Sequence, residues 1–506
     1  MKGTRTLIGL ICLFWLGGCS AMNLHRTTTA PTTFRESGSE EAIIGVQVSS
    51  QSYSFFRPWD KKTAGNRTGL GVVMDNGLIL VSARLVAEST YIELEKNNGG
   101  PRSPARIRLV DYKANLALLE PVDHTFLQAV RPMTVHDHLV PDEPVEVLFG
   151  KKDGRHEQLS GRVRDVEVAR YPFGAYLLVA GVKIDLAKST DASSLPVIQE
   201  GRLLGIGMGY SHTSKTLKTI PLQVIRHFLT DFADGDYQGF PVLGVDVSSL
   251  DDSQLRDYLH LQGREDGVYL YRVRAGGAAR RAGIRAGDVL LSIDDLRINR
   301  FGSLEDPELG LIHFSHYISC RRFSGDRVVL TIFRDGREQR LEVRLATARF
   351  QDAPIPSYLE GRPPKYMILG GLVLTELSRQ YLQEWGGQWL IKAPEKLVHF
   401  YLNQWDLLKP GERVVLLSHV LPTRAMIGYT ELDNMVVRQV NGQPIHRLED
   451  VATALKTPIG RFHQLSFIKD ERAIYLDRFT LEKENRFIKK RYGISRLQRL
   501  GNEKNR

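Results

Sequence analysis

The sequence predicts a mainly β protein with three folded units. Its 506 residues are enough for three ordinary domains of roughly 150 residues each. Short β-type runs separated by turn residues fill the first part of the chain, and two later stretches each combine strands, a turn and a short helix. Hydrophobic residues make up 42% and charged residues 25% of the chain, which is the composition of an ordinary globular protein.

The N-terminus predicts export from the cytoplasm. Lys2 and Arg5 precede the apolar run "LIGLICLFWLGG". This run is too short to span a bilayer, but it suits the hydrophobic core of an export signal. Residues 1–18 are therefore predicted to be a signal peptide.

The end of this run resembles a bacterial lipoprotein processing box, "LGGC". The resemblance implies cleavage before Cys19, lipidation of its thiol and stable membrane anchoring, with residues 19–40 as a flexible tether. Ser20, where inner-membrane lipoproteins carry aspartate, favours the outer membrane of a bacterial envelope, with the protein facing the periplasm. After processing only Cys19 and Cys320 remain, which excludes an internal disulfide framework.

Residues 41–235 predict an all-β barrel or sandwich. Runs such as "EAIIGVQVSS", "TGLGVVMD" and "YLLVAGVKI" recur every 8–15 residues with turn residues between them. The stretch "LQVIRHFLTDF" then shows helical periodicity and is expected to close this domain.

Residues 236–348 predict a PDZ domain. The stretch "DGVYLYRVRAGGAARRAGIRAGDVLLSIDD" has the pattern strand, short Gly/Ala helix, turn and strand. Gly287 permits a tight turn before "DVLLSI", in which apolar residues alternate toward one face.

Residues 366–480 predict a second, diverged PDZ domain. Their "DNMVVRQVNGQPIHRLEDVATALK" again gives a strand, a turn and a helix. A stiff, proline-rich linker, residues 349–365, separates the two PDZ units. Residues 481–506 form a basic tail, for which we expect a solvated, partly helical structure; a patch for anionic lipid or nucleic acid is the alternative.

These motifs resemble the HtrA/Deg-type family, particularly "GFPVLGV", "HFSHYISCRRFSGDRVVLTIFRDG" and "VVLLSHVLPTRAMIGYTELDNMVVRQVNG". The resemblance spans residues 66–495. It implies a trypsin-like double β-barrel protease domain followed by two PDZ-like α+β domains.

Two of the three catalytic positions of the family depart from its pattern. The motif "Leu-Thr-Asn-Ala-His-Val-Val" falls on "LVSARLV", so Arg84 replaces the histidine. Asn115 replaces the aspartate, and Ser193 keeps the position of the nucleophile. The loop "Gly-Asn-Ser-Gly-Gly-Pro" reads "DASSLP" here, which puts Asp191 at the position whose backbone N–H faces the oxyanion.

The chemistry of Arg84 argues against proteolysis. A serine hydroxyl needs a neighbouring base to become a nucleophile. Arginine keeps its proton, with a free-base fraction on the order of 10⁻⁵ or less at neutral pH. A carboxylate at Asp191 also opposes charge development at the oxyanion. A rescuing lysine, Lys188, is an alternative base only if it is desolvated.

Peptide binding remains possible. The family's carboxylate-binding loop has a hydrophobic-Gly-hydrophobic pattern, which Leu243, Gly244 and Val245 match. Such a loop turns backbone N–H groups toward a terminal carboxylate, while the peptide adds to the sheet as a strand. In the second PDZ unit the corresponding pattern lies at 369–372.

The expected protein is a lipid-anchored, proteolytically silent HtrA-like chaperone, sensor or adaptor in envelope protein quality control. It would bind C-terminal or unfolded segments of other envelope proteins. The alternative is an active serine endopeptidase that uses Ser193 with a non-standard base. The resemblance also implies a trimer-based homo-oligomer, or a hetero-oligomer with an active paralogue. No metal, cofactor or nucleic-acid partner is expected, because no matching motif spacing occurs.

Overall fold

Two antiparallel six-stranded barrels form the first domain. The computed structural model describes residues 40–96, 99–150, 156–187, 191–261 and 263–501, so the predicted signal peptide, Cys19 and most of the tether lie outside the described residues. The first barrel closes in the order β1-β2-β3-β6-β5-β4. Its elements are β1 (Ile43–Ser50), β2 (Gly65–Val73), β3 (Ile79–Ser82), α1 (Ala83–Val86), β4 (Ser89–Glu95), β5 (Arg102–Asp111) and β6 (Leu116–Pro121).

The second barrel repeats the strand order of the first, β7-β8-β9-β12-β11-β10 around the closed ring. The helix predicted from "LQVIRHFLTDF" follows its last strand and is buried along one face. These findings confirm the predicted trypsin-like double barrel. The elements are β7 (Pro144–Gly150), β8 (His156–Arg170), β9 (Tyr176–Lys183), β10 (Leu195–Gln199), β11 (Arg202–Ser211), β12 (Thr216–Pro221) and α2 (Leu222–Ala233).

The second domain is a small sheet of order β14-β15-β16-β20-β21, with β17 paired to β16. The predicted strand "VLLSI" is buried on both faces, which goes beyond the single apolar face that the alternation predicts. Its strands are β13 (Pro241–Val242), β14 (Val245–Ser248), β15 (Val268–Val273), β16 (Val289–Ile293), β17 (Leu296–Arg297), β18 (Ser303–Asp306), β19 (Gly310–His313), β20 (Arg327–Arg334), β21 (Arg337–Arg344) and β22 (Ala346–Thr347). Its helices are α3 (Ser253–Tyr258), α4 (Ala278–Arg281) and α5 (Ser315–Cys320).

The third domain is built on an eight-stranded sheet, β29-β28-β26-β25-β24-β23-β30, with β27 paired to β26. Its strands are β23 (Tyr366–Leu369), β24 (Leu372–Glu376), β25 (Val415–Val420), β26 (Met435–Val440), β27 (Gln443–Pro444), β28 (Phe462–Phe467), β29 (Asp470–Asp477) and β30 (Gln498–Arg499). Its helices are α6 (Arg379–Leu382), α7 (Trp389–Lys392), α8 (Glu395–Leu402), α9 (Gln404–Leu407), α10 (Leu448–Ala454) and α11 (Arg478–Tyr492).

The basic C-terminal segment belongs to the third domain and is not a solvated tail. Leu481 and Ile488 of α11 are buried, and Ile494 beyond the helix is 2% exposed. Strand β30 then pairs with β23 and so covers that edge of the sheet. The lysines and arginines of α11 occupy its outer face, which is why the stretch looks solvated from its composition alone. Within the described residues, no helix is long and apolar enough to cross a membrane.

The proline-rich linker packs onto the first domain through aromatic contacts. Tyr358 in this linker is 5% exposed. Its ring lies 4.8 Å from Tyr112 and 4.5 Å from Phe173, measured between ring centroids. Tyr112 and Phe173 belong to the first domain and also contact each other at 5.0 Å. The linker is therefore packed onto the barrels at Tyr358.

Replacing Tyr358 with alanine is expected to destabilise this junction by about 3 kcal/mol, because large buried aromatic side chains cost that much when truncated. The measurement is the midpoint of the first transition in urea unfolding. Tyr258→Ala is the matched control, since Tyr258 is 79% exposed. Equal midpoints for the two variants would contradict the packing role of Tyr358.

Candidate functional site

Residue 84 lies where the sequence places it, on a one-turn helix directly after a buried strand. Ser82 caps α1, because its Oγ accepts a hydrogen bond from the Leu85 N–H at 3.4 Å. Leu85 and Val86 face the barrel core, while Arg84 is exposed. Arg84 thus lies on the solvent side of the helix.

The Asn115 side chain holds this helix in place. Its Oδ1 accepts a hydrogen bond from the Arg84 backbone N–H at 2.9 Å, and its own carbonyl accepts one from Ala83 at 2.9 Å. Asn115 is fully buried and has φ +54°, a left-handed conformation that asparagine tolerates better than most residues. The structure therefore brings the two substituted positions together, with the amide as a structural anchor.

Ser193 directs both of its donors at a single carboxylate oxygen. Its Oγ donates to Asp191 Oδ1 at 2.8 Å, and its backbone N–H donates to the same atom at 2.9 Å. The serine is 4% exposed. Its hydroxyl proton thus points at a carboxylate, and the serine amide is already occupied by that carboxylate.

Ser194, which sequence reasoning passed over, ties the loop to both barrels. Its N–H donates to Gly207 O at 2.8 Å, and its Oγ donates to Leu70 O at 2.8 Å while accepting from the Ser82 N–H at 3.0 Å. The Leu70 N–H also donates to the Ser194 carbonyl at 3.1 Å. Ser194 has φ +63° and stands where the family motif has glycine. A non-glycine residue at a glycine position was the signal that could have found it.

Arg67 and Glu88 form a second unpredicted group beside α1. Arg67 donates through Nη1 to the Arg84 carbonyl at 2.6 Å and through Nη2 to the Ala87 carbonyl, at the C-terminal end of the helix. Burial lowers the pKa of Arg67, and Glu88 and Tyr358 partly oppose this. Burial raises the pKa of Glu88. Sequence spacing gives no sign of these contacts, because they join β2 to the helix α1.

Other nucleophiles and bases do not complete the site. Lys188, the alternative base, lies outside the described residues. Burial raises the pKa of Cys320 to about 12, so its thiol stays protonated at neutral pH. Among the described residues, no three or more His, Cys, Asp and Glu side chains cluster so as to hold a metal ion.

The predicted peptide-binding loop has the required backbone form. Gly244 has φ +78°, and a Cβ there would lie 3.2 Å from the Gly277 Cα. The Leu243 carbonyl accepts a hydrogen bond from the Ala279 N–H at 2.9 Å, which turns the loop over α4. Val245 begins β14, which pairs with β15 alone among the described strands. In PDZ domains an extended peptide adds to an unpaired strand edge of this kind.

Comparison with known proteins agrees with this architecture. The PDZ domain family is matched twice, over residues 241–345 and over residues 355–498. The chain is 27% identical to Protease Do-like 2, chloroplastic, of Arabidopsis thaliana, over 92% of this chain and 76% of that protein. It is 25% identical to Protease Do-like 4, mitochondrial, of the same plant, over 86% of this chain and 83% of that protein.

The chain is an HtrA-type protein with two PDZ domains. Among solved structures, it is similar to HtrA-type protease AlgW with decapeptide, at 17% identity and a TM-score of 0.47. That likeness covers 61% of this chain and 95% of the other.

The second PDZ domain of this HtrA-type protein uses its corresponding pattern differently. Leu369 and Leu372 are paired across a two-residue turn between β23 and β24. The Gly370 N–H donates to Asn485 Oδ1 at 2.9 Å, and β24 also pairs with β25. Because both sides of β24 are occupied, this position cannot accept a peptide strand.

Replacing Asn115 with alanine is expected to destabilise the first domain of this HtrA-type protein by about 3 kcal/mol. The change leaves the Arg84 N–H unpaired and puts alanine in a left-handed conformation. Asn115→Asp keeps the acceptor and the tolerance for positive φ, so its loss should be clearly smaller. Urea unfolding followed by circular dichroism compares them, and equal losses would show that the hydrogen bond is unimportant.

Proposed function

We propose that this protein binds C-terminal or unfolded segments of envelope proteins through its first PDZ domain, and that its protease-like domain is proteolytically silent. The main observation that supports the absence of proteolytic activity is the pair of hydrogen bonds from Ser193 to Asp191. The free edge of β14 beside Gly244 supports the binding role.

Asp191 does not substitute for a histidine base. In reference peptides a carboxylate is a weaker base than imidazole by about 2.6 pKa units. In subtilisin, removing the catalytic histidine alone lowers turnover by about 10⁶-fold. Arg84 adds a permanent positive charge at the position predicted for the base.

The oxyanion position is also unsuited to catalysis. A working oxyanion site needs backbone N–H groups that point at open space where the charge develops. Here the Ser193 N–H is bound by Asp191 Oδ1, so an incoming carbonyl oxygen would compete with a carboxylate for the same donor. The negative charge of Asp191 would in addition repel the oxyanion.

The anchoring and location follow from the N-terminal sequence. Lipidation at Cys19 would hold the protein at the envelope, at the periplasmic face of the outer membrane, with the tether giving the folded domains reach. There the first PDZ domain would meet exposed segments of other envelope proteins. A trimer of this chain, or a mixed assembly with an active paralogue, would multiply such contacts.

A fluorophosphonate probe tests for a reactive serine. The wild-type protein and a Ser193→Ala variant are expected to label equally, at background level, and neither should degrade casein. A third variant, Arg84→His with Asn115→Asp and Asp191→Gly, restores the family residues. Its labelling would show that the fold can still support the chemistry.

Labelling that disappears in Ser193→Ala, together with casein cleavage, would establish the alternative of an active endopeptidase. A contaminating protease would give the same activity in the wild-type and Ser193→Ala preparations, so it can be distinguished from activity of Ser193. Thermal unfolding of each variant confirms that loss of labelling is not loss of folding.

A peptide selection tests the first PDZ domain. Phage-displayed random peptides with free C-termini are selected on the full chain, and the best peptide is then compared with its amidated form. Gly244→Ala should weaken binding about tenfold or more, because a Cβ at φ +78° strains the loop and meets Gly277. Gly336→Ala is the matched control, since this turn glycine has φ +77° and no neighbour within 4 Å of the added Cβ.

Two results would contradict the peptide-binding role. One is that no peptide is enriched over repeated rounds. The other is that the selected peptide binds the Gly244→Ala and Gly336→Ala variants equally. An unchanged affinity on amidation would instead assign recognition to internal segments, with β14 still as the docking strand.

A further inference from the structure

A cavity of about 300 Å³ lies at the junction of the first and third domains. We call it the junction cavity. Four of its lining residues are cationic, and none is acidic. Arg84 comes from α1, Arg170 from the end of β8, Lys218 from β12 and Arg379 from the first turn of α6. Tyr171 and Trp389 contribute aromatic walls.

Arg379 is a buried cation without an anionic partner. The residue is 4% exposed, and its Nη2 donates to the Pro172 carbonyl at 2.9 Å. The side chain of Tyr401 partly opposes the effect of burial on the pKa of the guanidinium. Its Nε has no acceptor, and no carboxylate lies within 4.0 Å of it in the described part of the chain. Burial lowers the pKa of Arg379, and the charge of Arg170 lowers it further.

Burying the charge of Arg379 without a neutralising group destabilises the protein when the cavity is empty. A buried charge left uncompensated is strongly destabilising, whereas a well-packed apolar side chain in its place is often neutral or better. The other three cations, Arg84, Arg170 and Lys218, are exposed, and none of them forms an ion pair with any residue that the structure describes. Their charges therefore add to the positive potential around Arg379 rather than being neutralised locally.

The chemistry of the walls selects the kind of ligand. Guanidinium groups bind phosphate and carboxylate oxygens with paired N–H donors, and a lysine adds a compact positive charge. The volume is at the small end of the range for ligand sites. A small solute with two or more negative charges fits both constraints.

We propose that the junction cavity is a binding site for a small polyanion bearing phosphate or carboxylate groups, with Arg379 as its buried anchor. The ligand would compensate the charge that no protein group neutralises. Because the walls come from two domains, an occupied cavity also strengthens the attachment of the third domain to the barrels. This site is separate from the β14 groove, and it does not depend on peptide binding.

Isothermal titration and thermal unfolding of the full chain test the proposal. Inorganic phosphate and citrate are the two probes, each titrated at constant ionic strength against sodium chloride. At least one of them should bind saturably at one site and raise the unfolding temperature, while chloride alone should not. Binding of only one probe assigns the site to the phosphate or to the polycarboxylate class.

Variants locate the site. Arg84→Gln and Lys218→Gln, both at exposed positions, should each weaken binding severalfold without changing the fold. Arg379→Met, which keeps the side-chain length without the charge, should weaken binding about tenfold or more and abolish the thermal shift. Arg108→Gln on β5, an exposed cation away from the cavity, is the matched control and should bind normally.

Three results would overturn the proposal. They are no saturable binding of either probe at millimolar concentrations, an equal thermal shift with chloride, or unchanged affinity in both Arg84→Gln and Lys218→Gln. Those two surface variants keep the test decisive even if Arg379→Met fails to fold.

Discussion

The hydrogen bonds of Ser194 are the constraint on which the geometry of the protease-like site depends. This one buried residue bonds to strands of both barrels, through Leu70 and Ser82 on one side and Gly207 on the other. Its left-handed backbone sets the direction of the preceding loop, and with it the positions of Ser193 and Asp191. A loop fixed at the seam between two barrels has little freedom to rearrange around a substrate.

This constraint places the site residues predicted from the sequence on two sides of one seam. Once the loop is held at Ser194, the Asp191 carboxylate accepts both donors of Ser193. On the opposite side of the seam, Asn115 uses its side-chain oxygen to hold the Arg84 backbone and not to orient a base. In this structure the hydrogen bonds of Ser193, Asp191 and Asn115 are made within the site itself. The fold is retained, but fold alone does not establish an activity.

Sequence reasoning predicts features that depend on local pattern. The double barrel, the strand-to-helix step before Arg84 and the loop at Gly244 all follow from short motifs and from the family resemblance. The sequence does not predict the contacts of Ser194, Arg67 and Arg379, because their partners lie on distant elements or in another domain. The prediction of a solvated C-terminal tail is wrong for a related reason. Its charge density hides the few apolar residues, such as Ile488, that bury α11 against the sheet.

Arginines at the domain boundaries show how unusual the junction cavity is. Arg272 on β15 donates to Asp406 of the third domain at 2.9 Å and to Asp246 on β14 at 2.9 Å. These two carboxylates raise its pKa. Arg413 instead caps backbone carbonyls of the linker, but it is only partly buried, so water shares its charge. Arg379 is the most buried of the three; it donates to one backbone carbonyl, that of Pro172, and no carboxylate pairs with it among the described residues. The third domain thus supplies a carboxylate to Arg272, whereas among the described residues none pairs with Arg379, and the anion proposed for the junction cavity would take that place.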